Sequence, residues 1–447
     1  MIKKASKIVL ALALIGLANW NLPIAVEAKT KESNPFTKED KIRSETISTI
    51  KGQVKDRDLK DKKSLEEKRI KQKNQLSALG KRYIVKFSSS ASLEKIYKVV
   101  SKYEYKILGK SEQRIFLVNL KDVEGFKKQS LGLVESFELD SEMKMEAVPK
   151  DPEYENQWGL PAINMSKAWD ISKGSESVFV AVIDSGIYRE HPDFNGVDIR
   201  NGADIVFGGP CHDDLSGHGT SVTGVIGAQT NNKVGIAGVN WDVAIVPLNV
   251  SFYSGKSYSS DVIKAIYLAA DAGCKVINLS LGSPNYSTQA NAAIQYALSK
   301  GCIVVAAAGN SGNSVKMYPA SYDGVISVGS INSELSKSDF SNYNNKIDVV
   351  APGEDVLTTT DWQYSYYGED YEYVNGTSFS SPHVAGVAGL VASLDPSITP
   401  AKFQKLIETT SKDLGAKGYD NYYGFGLIDA EKVLKSVEKT PKNSPLK

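Results

Sequence analysis

Three short motifs carry residues whose types and spacing suit nucleophilic catalysis. Asp184 ends an apolar run and is followed by Ser-Gly, His218 stands between two glycines, and Ser378 follows Gly-Thr. A serine hydroxyl becomes a nucleophile when an imidazole takes its proton and a carboxylate fixes the imidazole tautomer, and the chain order Asp, His, Ser is one known arrangement. The three motifs together predict an acyl-transfer site.

The stretch at 375–394, NGTSFSSPHVAGVAGLVASL, gives the serine its setting. Pro382 suits the first turn of a helix, and apolar residues recur after it at helical spacing. A helix is therefore predicted to begin just after Ser378, so that the hydroxyl lies at a helix N-terminus whose free N–H groups can stabilise an oxyanion. Taken alone, the stretch is more typical of an ordinary Ser/Thr-rich helix cap, and the other motifs favour the catalytic interpretation.

Four histidines are available as the base. His383 follows the serine by five residues on the same predicted helix, which points it away, and His191 precedes a proline in an extended loop. His218 is therefore the predicted base, with His212 in reserve. Asn310 follows an apolar strand in Ala-Ala-Gly-Asn and can direct its amide at the oxyanion, although alone it would be interpreted as a turn residue.

Apolar strands and helices alternate after Asp151. The alternation predicts an α/β domain over residues 151–435, built on a mainly parallel, doubly wound sheet that is covered on both faces. Ligands in such folds bind at the carboxyl ends of the strands. The predicted strands are 178–183, 205–207, 244–250, 276–280, 303–308 and 325–328, and the predicted helices are 219–228, 260–272, 288–299, 378–394 and 400–409.

The first 28 residues have the pattern of a secretory signal peptide. Three lysines precede an apolar run at 8–17, and Val-Glu-Ala28 provides a cleavage site. The alternative, a single membrane anchor, is disfavoured because the run is too short to span a bilayer comfortably. The protein is therefore expected to be secreted and extracellular.

Three further segments flank the α/β domain. Residues 29–80 are polar and are interpreted as an extended or loosely helical pro-region, and residues 436–447 as a disordered tail. Residues 81–147 are predicted to form a small α+β unit. Its predicted strands are 83–87, 115–120 and 134–139, and its predicted helices are 93–103 and 123–129.

The composition indicates a folded globular protein, and the charge pattern disfavours nucleic-acid binding. The 447 residues, 41% hydrophobic and 23% charged, can bury a large core in two or three domains. The net charge of +1 hides an asymmetry, since residues 29–150 contain 29 basic and 19 acidic residues, whereas residues 151–447 contain 21 and 32. The basic part mixes lysine with acidic residues and lacks aromatic or arginine interleaving. This predicts attraction between the two parts and not nucleic-acid binding.

The three cysteines do not suggest a disulfide scaffold. The odd number, Cys211, Cys274 and Cys302, leaves at least one thiol unpaired. Cys274 and Cys302 each open an apolar strand, which favours buried structural thiols. A bridge between Cys274 and Cys302 stays open as an alternative. No Cys-x-x-Cys pair suggests zinc or redox chemistry.

The motifs resemble those of the subtilisin family of serine endopeptidases. The resemblance rests on Asp184-Ser-Gly, His218-Gly-Thr, Ala-Ala-Gly-Asn310 and Gly-Thr-Ser378-Phe-Ser-Ser-Pro-His-Val-Ala-Gly, and it covers residues 151–435. It implies that Asp184 orients the imidazole and that His218 acts as general base and then as general acid. It also implies that Ser378 attacks the peptide carbonyl and that Asn310 completes the oxyanion hole.

The resemblance also implies a precursor and a substrate. Residues 81–147 resemble the family's inhibitory propeptide, a folding template that occupies the cleft until it is cut off, so a self-processed zymogen is expected. The signal peptide, the lysine-rich pro-region and the modest catalytic domain are most similar to the lantibiotic leader peptidases of the epidermin and nisin type, which remove the leader from a modified antimicrobial peptide. No counterpart of the nisin-type anchor follows Ser436, which implies a freely secreted form, and the protein is expected to be a monomer.

Two alternative functions remain beside this one. A general secreted subtilase of broad specificity would share every motif named above. A catalytically silent module that binds peptides is disfavoured, because all four catalytic positions are intact.

Substrate contacts are implied by the family resemblance alone. Ser280-Leu281-Gly282 would form an extended rim that pairs with the substrate backbone, Met317 would line the pocket for the residue before the scissile bond, and Tyr258 would lie near a pocket further upstream. Acidic residues crowd the segment before the serine and predict a basic residue before the scissile bond, unless they form only a solvated loop. They are Glu354, Asp355, Asp361, Glu369, Asp370 and Glu372.

The resemblance further implies a structural calcium ion. The matching residues supply only oxygen ligands, which suits calcium, although each alone would be an ordinary polar residue of a loop. If Asp151 is a ligand, maturation must cut the chain before it, between residues 142 and 150. The implied ligands are the side chains of Asp151, Asp193 and Asn232 and the carbonyl oxygens of Thr230, Val234 and Ile236.

Overall fold

The computed structural model describes residues 81–141, 148–211, 213–361, 363–365 and 369–438. The expected signal peptide and polar pro-region lie outside the described residues. Within the described part of the chain, every helix is too short or too polar to cross a membrane.

Residues 81–139 form a four-stranded antiparallel sheet with two helices. The strand order is β2-β3-β1-β4, and alternate residues of β3 are buried, which is the period-2 pattern of a sheet with one covered face. The sequence analysis missed β2, because its residues are exposed or only half-buried and show no apolar alternation. The elements are β1 (Lys81–Phe87), α1 (Leu93–Val100), β2 (Glu104–Leu108), β3 (Ile115–Leu120), α2 (Val123–Gln129) and β4 (Val134–Leu139).

An eight-stranded sheet forms the centre of the remaining chain. Its order is β12-β11-β10-β9-β5-β8-β6, with β7 also paired to β8, and all of these pairs are parallel. The predicted α/β doubly wound fold is confirmed. The strands are β5 (Gly174–Asp184), β6 (Asp198–Ile199), β7 (Ala203–Asp204), β8 (Asp242–Asn249), β9 (Val276–Leu279), β10 (Ile303–Ala307), β11 (Ile326–Ile331) and β12 (Val349–Pro352).

Helices cover both faces of this sheet, which explains why its strands are apolar throughout. One core cluster includes residues of α8, the longest helix in the described ranges, and the other includes residues of α6 and α7. The helices are α3 (Gly159–Ala162), α4 (Met165–Trp169), α5 (His218–Gly227), α6 (Ser259–Ala272), α7 (Thr288–Ser299), α8 (Thr377–Leu394), α9 (Pro400–Thr410) and α10 (Ala430–Glu438), and a separate hairpin pairs β13 (Val356–Thr359) with β14 (Tyr371–Val374).

Several expectations differ from the structure, among them helix α1, which ends at Val100 and not at residue 103. Residues 205–207 are not a strand, because the Asp204 carboxylate accepts hydrogen bonds from the N–H groups of Val206 and Phe207 and so forms a turn. Helix α8 begins at Thr377, so Ser378 lies inside its first turn and not before it. Helix α10 continues to Glu438, past the start of the expected disordered tail.

Candidate active site

Asp184 and His218 form a hydrogen-bonded pair at the carboxyl edge of the large sheet. Asp184 is the last residue of β5, and His218 is the first residue of α5. Nδ1 of His218 donates to Oδ1 of Asp184 over 2.7 Å, and the same oxygen accepts the N–H of Ser185 over 2.8 Å. Because Nδ1 holds the proton of the neutral imidazole, the lone pair lies on Nε2, as a general base requires.

The carboxylates near His218 control its charge. Burial lowers the pKa of His218, but the charge and hydrogen bond of Asp184 and the charge of Asp214 raise it, so that the pKa lies above its ordinary value. The side chain still exposes 34% of its surface, so a bound peptide can reach it.

A second buried carboxylate, which the sequence analysis missed, holds the start of α5. Asp214 is 4% exposed and ties the helix that carries His218 to the end of the strand that carries Asp184. The available signal was an acidic residue four positions before the histidine, where an acid can cap a helix. Its two oxygens accept five hydrogen bonds of 2.6–3.1 Å, from the Ser185 hydroxyl, the N–H groups of Ser216, Gly217 and Thr220, and the Thr220 hydroxyl.

Ser378 is held at the end of β9 by hydrogen bonds with Ser280. Its hydroxyl donates to the Ser280 carbonyl over 3.1 Å, and the Ser280 hydroxyl donates to the Ser378 carbonyl over 2.7 Å. The ring of Phe379 lies 5.5 Å from the His218 ring, centroid to centroid. The structure therefore places the serine at the end of β9, with its hydroxyl bonded to the Ser280 carbonyl, and the ring of its neighbour Phe379 lies near the imidazole.

Asn310 and the N–H of Ser378 border a gap at Gly376. Oδ1 of Asn310 accepts the N–H and the hydroxyl of Thr377, both over 2.8 Å, which leaves Nδ2 as a donor. A Cβ atom on Gly376, whose φ is 151°, would lie 3.2 Å from Nδ2 and 3.7 Å from the Ser378 nitrogen. An oxygen atom at that position would lie close to Nδ2 of Asn310 and to the Ser378 nitrogen, both of which could donate to it as the donors of an oxyanion hole do.

The structure brings part of the expected substrate-binding set together. Gly282 and Gly309 both face Met317, since Cβ atoms on the two glycines would lie 3.7 and 2.6 Å from atoms of its side chain. Ser280 is 4% exposed and its hydroxyl bonds within the protein, so it can offer a substrate only its backbone. Leu281 is half-buried beside it.

The remaining residues of the expected substrate set differ in exposure. Tyr258, just before α6, is 64% exposed, and its ring lies 5.7 Å from that of Phe252. Asp361 is 3% exposed, so it is not part of the solvated acidic surface that the sequence suggested. The other acidic residues are half-buried or exposed, namely Glu354, Asp355, Glu369, Asp370 and Glu372.

The residues expected to bind calcium lie together and are hydrogen-bonded to one another. The Asp151 carboxylate accepts the N–H groups of residues 231–233 over 2.6–3.0 Å. Asp193 accepts Nδ2 of Asn232 over 2.9 Å and the N–H of Ile236 over 2.8 Å, and Oδ1 of Asn232 accepts the N–H of Val234 over 2.7 Å. Thr230 is buried at the start of this loop.

The donors fit a hard cation in their chemistry. Both Asp151 and Asp193 are buried, neither pairs with a lysine or arginine among the described residues, and burial raises the pKa of Asp193 to about 7. No group of three or more acidic, histidine or cysteine side chains in the described ranges could hold a metal, so amide and carbonyl oxygens would have to complete the site.

His191 and His383 are buried and hydrogen-bonded to the backbone. His191, 1% exposed, donates from Nε2 to the Asp370 carbonyl over 2.7 Å and accepts the N–H of Asp193 at Nδ1 over 3.1 Å. Nδ1 of His383 donates to the Phe379 carbonyl over 2.8 Å, and burial lowers the pKa of His383 to about 4. His212 lies outside the described residues.

The three cysteines are buried free thiols. The bridge between Cys274 and Cys302, which the sequence left open, is not formed, and Cys211 is free as well. The interpretation as buried structural thiols is confirmed.

Comparison with known proteins identifies the class that this fold and site define. The family model described as "Subtilase family" matches residues 175–426, a range that contains Asp184, His218, Asn310 and Ser378. The fold and the match together define a serine endopeptidase of the α/β type. The chain belongs to the subtilase family.

Characterised relatives are similar over nearly two thirds of the chain. The thermophilic serine proteinase of Bacillus sp. (strain AK1) is 40% identical over 283 residues, 63% of this chain and 68% of that protein. Thermitase of Thermoactinomyces vulgaris is 38% identical over 289 residues, 64% of this chain and 99% of that protein. A solved protease of Pseudoalteromonas arctica PAMC 21717 is 30% identical, covers 65% of this chain and 100% of its own, and has a TM-score of 0.60.

Proposed function

We propose that Asp184, His218 and Ser378 are the catalytic triad of this serine endopeptidase and that Asn310 completes its oxyanion hole. The observation that carries the proposal is the gap at Gly376, which two N–H donors border. The gap lies close to Phe379, the residue after the serine, and the ring of Phe379 lies 5.5 Å from the ring of an imidazole that is bonded to a carboxylate. The oxygen of the scissile carbonyl would enter this gap as it gains negative charge.

The chemistry proceeds by acyl transfer. Rotation of the Ser378 hydroxyl from the Ser280 carbonyl to Nε2 of His218 lets the imidazole take its proton while Oγ bonds to the peptide carbon. The imidazolium, stabilised by Asp184, then gives the proton to the leaving amine as the C–N bond breaks. A water molecule, deprotonated by the same imidazole, hydrolyses the acyl-enzyme and frees the serine.

Active-site labelling tests the triad. We expect a fluorophosphonate to form one adduct, located on Ser378 by peptide mass mapping, and none in S378A. Asn310→Ala is expected to lower turnover by about a hundred- to thousandfold, the loss measured for the corresponding amide of subtilisin, a member of this family. An adduct on another residue, or an S378A protein that still cleaves peptides, would contradict the assignment.

We also propose that the protein is exported and matures from a zymogen. The signal-like residues 1–28, the α+β unit at 81–139 and the opposite charges of the two parts of the chain support this proposal. The active protein should acquire a new N-terminus between residues 142 and 150, whereas S378A should keep its full precursor length. An S378A protein cut at the same place by itself would contradict self-processing.

The proposed substrate is the leader of a lantibiotic precursor. The support is the sequence resemblance of the pro-region and the catalytic domain to the leader peptidases of that class. Incubation of the processed enzyme with a modified precursor is expected to give one cut at the boundary between leader and core, detected by mass spectrometry. Many scattered cuts in an unrelated unfolded protein, at similar rates, would favour the broad-specificity alternative.

We further propose that this chain binds calcium, as subtilases generally do. Asp151, Asp193 and Asn232 would supply side-chain oxygens, and their burial without a cationic partner supports the assignment. A bound cation would neutralise the two carboxylates and fix the start of the mature chain against the loop. The carbonyl ligands would come from Thr230, Val234 and Ile236.

A further inference from the structure

Four exposed or half-buried aromatic side chains, after β7, after β8 and beside the start of α5, take no part in the steps above. We call Phe207, Phe252, Tyr253 and Tyr364 the aromatic ledge. The ring of Phe207 lies 5.8 Å from the ring of Phe252 and 5.8 Å from that of Tyr253. Phe207, Tyr253 and Tyr364 are 56%, 71% and 46% exposed, so their rings are available to a ligand.

Two segments of the chain hold the aromatic ledge near the residues of the proposed triad. Phe252 and Tyr253 lie just after β8, the neighbour of β5, where the N–H of Val250 donates to the Asp184 carbonyl over 2.8 Å. Tyr364 lies in the connection between β13 and β14, and its Cβ is 3.2 Å from where a Cβ on Gly217 would be. Gly217 directly precedes the proposed base, so Tyr364 lies at the start of the helix that carries His218.

Carboxylates give the ledge a negative potential. Asp214 and Asp361 are 4% and 3% exposed, and Asp213 is exposed; none of the three pairs with a lysine or arginine in the described part of the chain. The pKa of Tyr364 is raised, mainly by burial and then by the charges of Asp361 and Asp214. Asp213 also raises it, by a smaller amount. Buried charges are poorly screened, so their potential reaches the exposed ring. Lys256, in the turn after Tyr253, is exposed and screened by solvent.

The sheet order decides which substrate residue faces the ledge. Along the carboxyl edge, β9 with the Ser280–Gly282 rim lies on one side of β5, and β8 with the ledge lies on the other. An extended peptide points successive side chains to opposite sides. If the residue before the scissile bond enters the space beside Met317, the residue preceding it faces the ledge.

We propose that Tyr364, Tyr253 and Asp213 bind a lysine or arginine side chain of the substrate, at the second position before the scissile bond. The proposal rests on the proposed triad, because the position is counted from the bond that Ser378 attacks. A cation over an exposed aromatic ring gains about 0.5–1 kcal/mol, and more where carboxylates share it. Tyr364 and Asp213 are thus specificity-determining residues outside the catalytic machinery.

A pair of quenched peptides that differ only in lysine or norleucine at that position tests the proposal. The processed enzyme should show a roughly tenfold higher kcat/KM for the lysine peptide, and the preference should shrink at high salt. Tyr364→Ala and Asp213→Asn should each reduce the preference to about threefold or less. Tyr422→Ala is the matched control: Tyr422 is 49% exposed and its ring stacks on Tyr343, so the preference should persist.

The outcomes separate the ledge from the triad. Equal kcat/KM for the two peptides, or a lysine preference that both variants keep, would overturn the proposal. A preference for norleucine that disappears in Tyr364→Ala would show that the ledge holds apolar side chains, and would overturn it as well. Fluorophosphonate labelling of Ser378 in each variant distinguishes these outcomes from a failure of the proposed triad. An enzyme whose Ser378 is labelled but that shows no lysine preference contradicts only the proposal about the aromatic ledge.

Discussion

His218 is controlled by two carboxylates that act in different ways. Asp184 bonds directly to Nδ1, whereas Asp214 acts through its charge and through the backbone of the helix start. Asp214 is therefore a positioning residue under the proposed mechanism. Removing its charge should change the pH dependence of the reaction as well as its rate.

Asp214→Asn is expected to move the acid limb of kcat/KM to lower pH. Asp214 raises the pKa of His218, which must be neutral to act as a base, so loss of the charge lets the neutral form persist to lower pH. The maximal rate should also fall, because an amide cannot accept all five hydrogen bonds. A pH–rate profile measures both effects. Asp323→Asn removes a carboxylate that is 90% exposed and should leave the limb unchanged, and a limb at higher pH in Asp214→Asn would refute the argument.

Gly376→Ala is expected to lower kcat by about a hundredfold with little change in KM. The new methyl group would fill the gap in front of Nδ2 of Asn310, where only the developing oxyanion needs room. Gly418→Ala also places a side chain on a residue with positive φ, 84°, but Gly418 has open space around it, so this variant should keep its kcat. Steady-state kinetics on one peptide compare the two variants. Equal kcat values would show that the gap is not used.

At the scale of elements, the β13–β14 hairpin supports the helix that carries His218. The Thr358 hydroxyl donates to the Ser221 carbonyl over 2.7 Å, and the Thr359 hydroxyl donates to the Thr220 carbonyl over 2.8 Å. Gly224 allows this approach, since a Cβ on it would lie 2.1 Å from the Thr359 hydroxyl oxygen. The hairpin and α5 therefore form one packed unit.

The double substitution Thr358→Val and Thr359→Val is expected to lower the free energy of unfolding by about 1–3 kcal/mol, because two buried hydrogen bonds are lost without a change of shape. Urea unfolding in an S378A background, which prevents self-digestion, measures the change. In the control Thr409→Val, the lost bond runs within one exposed helix turn, and the cost should stay below about 0.5 kcal/mol. Equal costs would show that the hairpin contacts do not stabilise the fold.

At the scale of the whole molecule, the loop at 230–236 connects two distant parts of the chain. Asp151, near the start of the subtilase region, and Asp193, which follows β5, both accept N–H groups of this loop. Their negative charges approach each other in a buried place, which disfavours the folded state unless a cation is bound. The stability of the whole domain should therefore depend on calcium.

Chelation is expected to lower the melting temperature of S378A by roughly 5–10 °C, because a ligand at a hundred times its dissociation constant contributes about 2.7 kcal/mol. Added calcium should restore the value, and magnesium should not, because it demands a tighter octahedral site. Asp193→Asn should abolish the response. An identical melting temperature with and without chelator would contradict the proposed calcium site.

Local patterns predicted most elements of the fold. Helix α7 and strand β3 begin and end where the sequence placed them, because an N-cap and an apolar period are local properties. Strand β2 and the β13–β14 hairpin were missed, because they are short and, for β2 and β14, partly exposed. Strand β12 was missed although it is buried, since four residues are too few to show a period.

The sequence by itself determined the candidate catalytic residues: an Asp, a His, a Ser and an Asn, each beside glycine or at the end of a predicted element. Only the tertiary structure decided that Asp214 anchors α5, that Gly376 leaves a gap before two N–H donors and that Tyr364 covers Gly217. The physical reason is that these contacts join residues from different strands and loops. Their meeting depends on the order of parallel strands in the sheet, and no local pattern encodes that order.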